Sequence, residues 1–344
     1  MGIAFRDIIT AREIAIEDLK GKVLAVDSYN VLYQFLTTIR ARDGTVLMDS
    51  KGNVTSHLVG LFNRTTKLMS EGLKLAFVFD GKPPKLKEKE KERRANLKLE
   101  AAKEYEKAKA EEDIEGMKKY AARTSKLDKN MVEEAKKLIE ALGLPIIQAP
   151  SEGEAQAAYM AKNNMAYAVV SQDFDSLLSG ASKLVRNLSI AGKRKKANQL
   201  DYETVKPEII DLAENLNNLG IDNDQLIALG MLIGTDYNIG GIKGIGPKTA
   251  LKLVKEYGKD FNSLFKKAEW GKFFKEEWIE VFNLIRNMEV TDNFELEWKQ
   301  LDNDKIVKLL VEKHDFSEER VNSSLEKLEK EKESKQQTGL GKWV

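Results

Sequence analysis

The chain has 344 residues with 56 basic and 55 acidic side chains, a net charge of +1, 42% hydrophobic residues, no cysteine and two histidines. That is enough apolar material for one large α/β domain or two smaller ones, and the missing cysteines exclude disulfides, thiol catalysis and cysteine-ligated zinc or iron–sulfur centres. Two histidines exclude a histidine-rich metal site and speak against a serine–histidine triad; a balance near zero means that any polyanion has to be met by local patches.

The longest apolar run, LIALGMLIG, is too short to span a bilayer. The N-terminal MGIAFR has no signal-peptide core, and Arg6 stands where the myristoylation pattern needs Ser or Thr, so a soluble intracellular protein is expected. Abundant Lys and Glu without Cys hints at a thermophile.

In chain order, four short apolar runs read as strands: KVLAVD (22–27), LAFVFD (75–80), LPIIQA (144–149) and YAVVSQD (167–173). Helical patterns at 29–40, 54–71 and 131–142, the last stopping at Gly143, lie between them. The alternation predicts an α/β fold, a mostly parallel sheet with helices on both faces. Residues 82–128 are almost wholly charged or Ala and predict helices with little core-facing surface; within 82–98, eight basic residues face three acidic ones. A charge run of this kind is ordinarily a solvated face. Residues 183–200 predict a hairpin with a basic tip at 193–196, and 205–344 predict helices and loops, with a mobile tail over the last ten residues. The expected division is one domain over 1–334, with 82–128 inserted and a helix-hairpin-helix element at 226–258, followed by a tail at 335–344.

Two strands end in aspartate, Asp27 and Asp80, and a third runs into SQDFD with Asp173 and Asp175. The stretch APSEGEAQ (149–156) follows another strand; Ser151 with Glu154 reads as a capping box and places Glu152 in the first helical turn. LGMLIGTDYN puts Asp236 just past an apolar helix. Each acid alone is explained by turns and caps. Gathered at the carboxyl edge of an open parallel sheet, where ligands bind, they would repel one another and hold protons. No Lys or Arg cluster lies beside them in sequence. Oxygen-only ligation suits Mg²⁺ or Mn²⁺, and seven carboxylates are too many for one ion, so two are expected. Two such ions are the standard clamp for phosphodiester hydrolysis.

GIKGIGPKTALKLVKEYG (241–258) supplies a second signal. Gly244 and Gly246 make a tight turn, Pro247 suits the first helical position, and the free N–H groups there, with Lys243 and Lys248, predict a phosphate cradle. Such a helix-hairpin-helix element grips duplex backbone without reading bases.

DGKPP after the second Asp, APSEGEA, SQDFD, GTDYN and GIGPKTA occur together in this order. The whole chain thereby resembles the flap endonucleases of the XPG-type structure-specific 5′-nuclease family, its archaeal branch most of all. The resemblance implies a PIN-like nuclease core and Mg²⁺-dependent removal of 5′ flaps at branched DNA in replication (Okazaki fragment maturation) and repair, with 5′–3′ exonuclease activity beside it. It implies that Asp27, Asp80, Glu152, Glu154, Asp173, Asp175 and Asp236 are the metal carboxylates. Residues 82–128 would be the helical arch that takes the single strand, which overturns the solvated-face reading of its first part. Lys87 and Arg94 match the basic residues that engage the scissile phosphate, where they would offset developing charge. Tyr33 matches an aromatic stacked on the base beside the cut. Thr55 and the DFSEER stretch, Phe316 and Arg320 included, match a pocket for a one-nucleotide 3′ flap, with His314 incidental.

Gln337, Leu340, Trp343 and Val344 have the spacing of a sliding-clamp (PCNA) binding peptide. Val344 stands where a second aromatic is common, which implies a weaker grip. The resemblance further implies a monomer working with the DNA in the cytoplasm. The alternatives are an exonuclease or bubble-cutting relative, a catalytically silent clamp-tethered junction binder, which has no need of seven acids, and a Mg²⁺-dependent phosphatase, which has no need of hairpin or tail.

Overall fold

The protein is described by a computed structural model that covers residues 3, 5–41, 44–111, 113–121, 123–190, 192–195 and 202–340, without the side chains of 114, 118, 190, 192–195, 202–204 and 332–340. The strands are β1 (Arg12–Glu13), β2 (Val23–Asp27), β3 (Lys74–Phe79), β4 (Ile146–Gln148), β5 (Ala168–Val170), β6 (Lys183–Arg186), β7 (Gly192–Lys195), β8 (Tyr202–Val205) and β9 (Glu208–Asp211). Seven of them form one sheet in the order β1-β9-β6-β5-β2-β3-β4; β7 and β8 make a separate ribbon. β2 pairs in parallel with β3 and β5, β3 with β4, and β5 with β6, while β9 runs antiparallel to β6 and β1.

The mostly parallel sheet is as expected, and all four expected strands are in it. Two expectations need correction. The hairpin over 183–200 is instead a sheet strand, Lys183–Arg186, followed by a ribbon whose arms are Gly192–Lys195 and Tyr202–Val205; its tip beyond Lys195 lies outside the described residues. The stretch from 205 is not wholly helical, because Glu208–Asp211 joins the sheet. Two adjacent isoleucines between acids carry no periodicity, so only pairing with β6 reveals that strand.

The helices are α1 (Ser28–Thr38), α2 (Ser56–Ser70), α3 (Glu88–Ala110), α4 (Ile114–Ala121), α5 (Lys129–Ala141), α6 (Gly153–Lys162), α7 (Asp175–Leu178), α8 (Leu212–Leu219), α9 (Asn223–Ile233), α10 (Pro247–Tyr257), α11 (Phe261–Lys267), α12 (Trp278–Arg286), α13 (Asn303–Val307) and α14 (Glu318–Leu340). Strand side chains alternate between two cores. Leu24, Val26, Leu75, Phe77 and Phe79 join α1, α2, α5, α13 and α14 on one face. Ala25, Ala76, Val78 and Val169 join α6 to α12 on the other. Strands buried on both faces read as continuous apolar runs, which is why the sequence showed them. α3 and α4 pack on each other, and α3 buries only Glu90, Ala101 and Ala108. α14 continues through Leu340, where a mobile tail was expected; Lys, Glu and Gln favour helix there.

From β2 the chain adds β3 and β4 on one side and later returns to add β5 and β6 on the other. That reversal beside β2 leaves a crevice at the carboxyl ends of the strands, where ligands bind in folds of this kind.

Candidate active site

Six of the seven acids hang from that edge, each fixed by the backbone that brings it there. Asp27 ends β2 and caps α1, accepting from the Asn30 N–H at 3.1 Å and from the Ser171 hydroxyl at 3.1 Å. Asp80 follows β3 and accepts from the Gly153 N–H at 2.7 Å. A Cβ on Gly153 would stand 2.7 Å from that same carboxylate oxygen, so the close approach requires glycine. Glu152 is the N-cap residue of α6 and Glu154 lies in its first turn. Asp173 accepts from Asn30 Nδ2 at 2.9 Å, and Asp175, the first residue of α7, accepts from the Ile3 N–H at 3.1 Å. Asp236 arrives separately, from the loop after α9.

The Ser151–Glu154 capping box does not form. α6 starts at Gly153, no side chain of its own caps it, and the Ser151 hydroxyl lies 3.3 Å from the Met288 sulfur. Asp80 satisfies the orphan N–H from the neighbouring strand end instead, so both glutamates of the motif are released to the crevice. Glu152, Glu154, Asp175, Asp236 and Tyr237 line a small cavity there.

Burial and neighbouring acids raise the carboxyl pKa values. Burial, Asp80 and Asp173 push Asp27 to about 7; burial and Glu152 push Asp80 to about 6. Burial, Asp173 and Asp236 push Asp175 to about 7, and burial and Asp175 push Glu154 well above the usual range. Burial and the surrounding acids also push the Tyr237 phenol upward. One Glu152 oxygen, Oε1, is buried without a hydrogen-bond partner.

The expectation that no basic cluster lies beside the acids fails, since Lys82, Lys85 and Lys87 follow Asp80 along the chain and basic side chains also reach the acids in space. Lys87, just before α3, pairs with Glu152 and lies 3.2 Å from Asp236. Arg94 on α3 donates to Asp236 at 2.7 Å. Burial disfavours the Lys87 ammonium, but Glu154, Glu152 and Asp236 outweigh it and raise its pKa. As the side chains stand, no three acids among the described residues converge closely enough to share an ion, and the Lys87 ammonium lies between two of them.

Tyr33 on α1 is half-buried, bonds Ser125 O at 3.3 Å and carries Lys98 Nζ over its ring at 5.1 Å. It faces the charged helices rather than the core. Gly244, at φ +88°, and Gly246 turn the chain between α9 and α10; Lys243 and Lys248 are exposed beside them, and neither glycine has an atom within 4 Å of where a Cβ would stand. The 49–55 turn, which ends at Thr55, meets the 314–320 segment, which holds Phe316 and Arg320, through Ser50 N–H to Asp315 at 2.7 Å. Thr55 differs from expectation: it is 4% exposed at the buried start of α2, which leaves Arg320 as the exposed group of the three. His314 has a place in the fold instead, its two ring nitrogens lying 2.9 Å from Asp49 and 3.1 Å from Glu134. The side chains of Gln337 and Leu340, and Trp343 and Val344 altogether, lie outside what the structure describes.

Sequence reasoning missed Asn30, Ser171 and Glu90, which hold the named residues in place. Asn30 had a signal, three residues after an aspartate at a strand end, the spacing of a cap; Glu90 had one in its i, i+3 and i, i+4 spacing to Arg93 and Arg94.

Comparisons place this geometry in a class. The family described as XPG N-terminal domain matches residues 1–101, and the XPG I-region matches residues 143–236. The catalytic core of Rad2, solved in complex with a DNA substrate, superposes with TM-score 0.69 at 25% identity over 95% of this chain and 100% of that one. More specifically, the chain is 50% identical to flap endonuclease 1 of Hyperthermus butylicus, covering 100% of this chain and 99% of that protein. It is 49% identical to that of Pyrococcus abyssi over 100% and 98%. The flap endonuclease-1 structure from Methanococcus jannaschii matches with TM-score 0.76 at 42% identity over 97% and 100%. The chain therefore belongs to the flap endonuclease 1 family of XPG-type nucleases, structure-specific hydrolases of DNA.

Proposed function

We propose that the crevice hydrolyses the phosphodiester at the base of a 5′ flap on branched duplex DNA, in lagging-strand maturation and repair, with 5′–3′ exonuclease activity at the same site. The observation that carries this reading is the crowding of six carboxylates at one sheet edge, joined by Asp236 from the loop after α9, with Lys87 and Arg94 reaching into them from the charged helices. The donor set is all oxygen, several acids sit at the edge of holding protons, and Glu152 Oε1 is buried unpartnered. These residues fit a pair of hard divalent cations, Mg²⁺ with Mn²⁺ as substitute, held by Asp27, Asp80, Glu152, Glu154, Asp173, Asp175 and Asp236. Bound there, such ions supply an activated water and charge stabilisation on the leaving oxygen.

The chain's own residues do the rest. Lys87 and Arg94 leave their carboxylates for the scissile phosphate and offset its developing charge. Tyr33, beside the middle of α3 through Lys98, stacks on the adjacent nucleobase. The α10 N-terminus with Lys243, Gly244, Gly246 and Lys248 holds duplex phosphates in a salt-sensitive, sequence-independent way. Arg320 and Phe316 border the pocket for a 3′ nucleotide, with Thr55 shaping its floor. Residues 1–334 act as one nuclease domain and a monomer. Gln337, Leu340, Trp343 and Val344 bind a sliding clamp. Among the described residues no helix is long and apolar enough to cross a membrane, and we place the protein with DNA in the cytoplasm. A silent junction binder would gain nothing from acids that repel DNA.

The test compares wild type and Asp175→Ala on labelled double-flap DNA with Mg²⁺, with binding measured in parallel. Wild type should cut near the flap base; the variant should lose roughly a thousandfold or more in rate and keep its DNA affinity within a few fold. Binding without cleavage by wild type in Mg²⁺ or Mn²⁺ would refute the reading.

A further inference from the structure

α3 exposes its acids Glu88 and Glu92 but buries Glu90, whose residue is 3% exposed. Glu90 Oε1 accepts from Arg94 Nε at 2.5 Å and from Arg93 Nη2 at 2.7 Å, and Oε2 accepts from Arg93 Nε at 2.6 Å. Arg94 is held again at its far end, where Nη2 donates to Asp236 Oδ1 at 2.7 Å. Its side chain is otherwise 41% exposed, so these two ion pairs are its anchors at the charged end. An exposed i, i+4 pair adds little to a helix, and helix stability does not account for a buried carboxylate with two guanidinium partners.

We propose that Glu90 is the positioning residue for Arg94, holding its Nε so that the outer nitrogens face the crevice whether or not Asp236 is available to them. Asp236 cannot do this alone. Lys87 lies 3.2 Å from its other oxygen, and a phosphate entering the crevice competes for the same Arg94 nitrogens. When Arg94 passes from Asp236 to that phosphate, the Nε contact to Glu90 is the one that need not break. A long, rotamer-rich side chain thereby meets its target without a search. Arg93, bidentate on the same carboxylate, fixes Glu90 in turn and marks the cluster as a built unit. The inference rests on Arg94 touching the scissile phosphate.

The test uses the full-length protein, saturating enzyme, Mg²⁺ and labelled double-flap DNA, and reads single-turnover rate and DNA dissociation constant separately. Glu90→Ala and Glu90→Gln should cut roughly ten- to hundredfold more slowly with affinity within about threefold of wild type. Glu90→Asp should recover part of the rate. Glu90→Ala combined with Arg94→Ala should be no slower than Arg94→Ala alone. The proposal is overturned if Glu90→Ala slows the Arg94→Ala background as much as it slows wild type, or if it weakens binding and leaves the saturated rate intact. A slow Arg94→Ala beside an unslowed Glu90→Ala would sink Glu90's role alone, whereas an Arg94→Ala at the wild-type rate would remove the role of Arg94 and this inference with it.

Discussion

Two acidic clusters in this protein are handled in opposite ways. In the one built on Asp49 and Glu134, every carboxylate meets a donor. Asp49 takes Asn53 through backbone at 2.8 Å and side chain at 2.8 Å, Lys51 N–H at 3.0 Å and His314 at 2.9 Å. Burial opposes its charge, but those bonds outweigh it and hold its pKa below the usual range. Glu134 takes Lys313 at 2.6 Å and His314 at 3.1 Å. In the crevice, by contrast, acids face acids, and Asp27, Asp80, Glu154 and Asp175 are all pushed upward. Satisfied charge of the first kind serves the fold, while strained charge of the second is kept because something else uses it.

The largest effect should come from breaking the satisfied cluster. His314→Ala removes a 2% exposed ring and its contacts to Asp49 and Glu134. Denaturant unfolding should show a loss of roughly 2–4 kcal/mol. Cleavage per folded molecule, measured well below the melting point, should stay within a few fold. A variant as stable as wild type would show that this network holds nothing together.

A smaller effect separates the clusters by pH. His57 is 0% exposed and neither ring nitrogen has a hydrogen bond. Burial, opposed by Glu134 and assisted by His314, pushes its pKa from 6.5 to about 4. Above pH 6.5 it is neutral in both states and costs nothing. As pH falls from 6.5 toward 4 the unfolded chain takes the proton first, so stability is lost across that window, by roughly 3 kcal/mol at most. Asp27 and Asp175 act in the other sense. Their raised values let the metal-free fold take protons as pH falls through about 7, a gain that is complete only below the ordinary 3.8. In chelator, His57→Gln should therefore gain stability between pH 7 and pH 5 relative to wild type, read as a melting temperature change several degrees more positive. Parallel curves would show that His57 titrates normally.

The same contrast explains what could be read in advance. Asp27, Asp80, Asp173 and Asp175 close apolar strands, and a strand buried on both faces announces itself locally, so their shared edge followed from the runs alone. The charged helices α3 and α4 and the start of α10 were visible for a similar reason, a charge run and a Gly-Ile-Gly-Pro turn being local features. What was hidden is set by contacts between distant residues. Asp80 capping α6 joins residues 73 positions apart, and His314 to Asp49 spans 265. β9 exists only because β6 offers it an edge, and Lys87 and Arg94 meet the acids only once α3 is docked.

The smallest effect bears directly on the strain in the crevice. Asp80→Asn removes a charge that burial and Glu152 both disfavour, and its side-chain oxygen can still accept from the Gly153 N–H. The cap on α6 survives while one source of repulsion goes. The metal-free variant should thus be more stable than wild type near neutral pH by about 1 kcal/mol, less than the raised pKa alone would imply because Lys87 and Lys91 already offset part of the cost. The matched change Asp49→Asn should go the other way, since there the charge itself draws donors from Asn53, Lys51 and His314. Melting curves of the two variants in chelator give the sign of each. If both are destabilised, the crevice acids are as well satisfied as Asp49, and the crowding of carboxylates is no sign of a site held ready for cations.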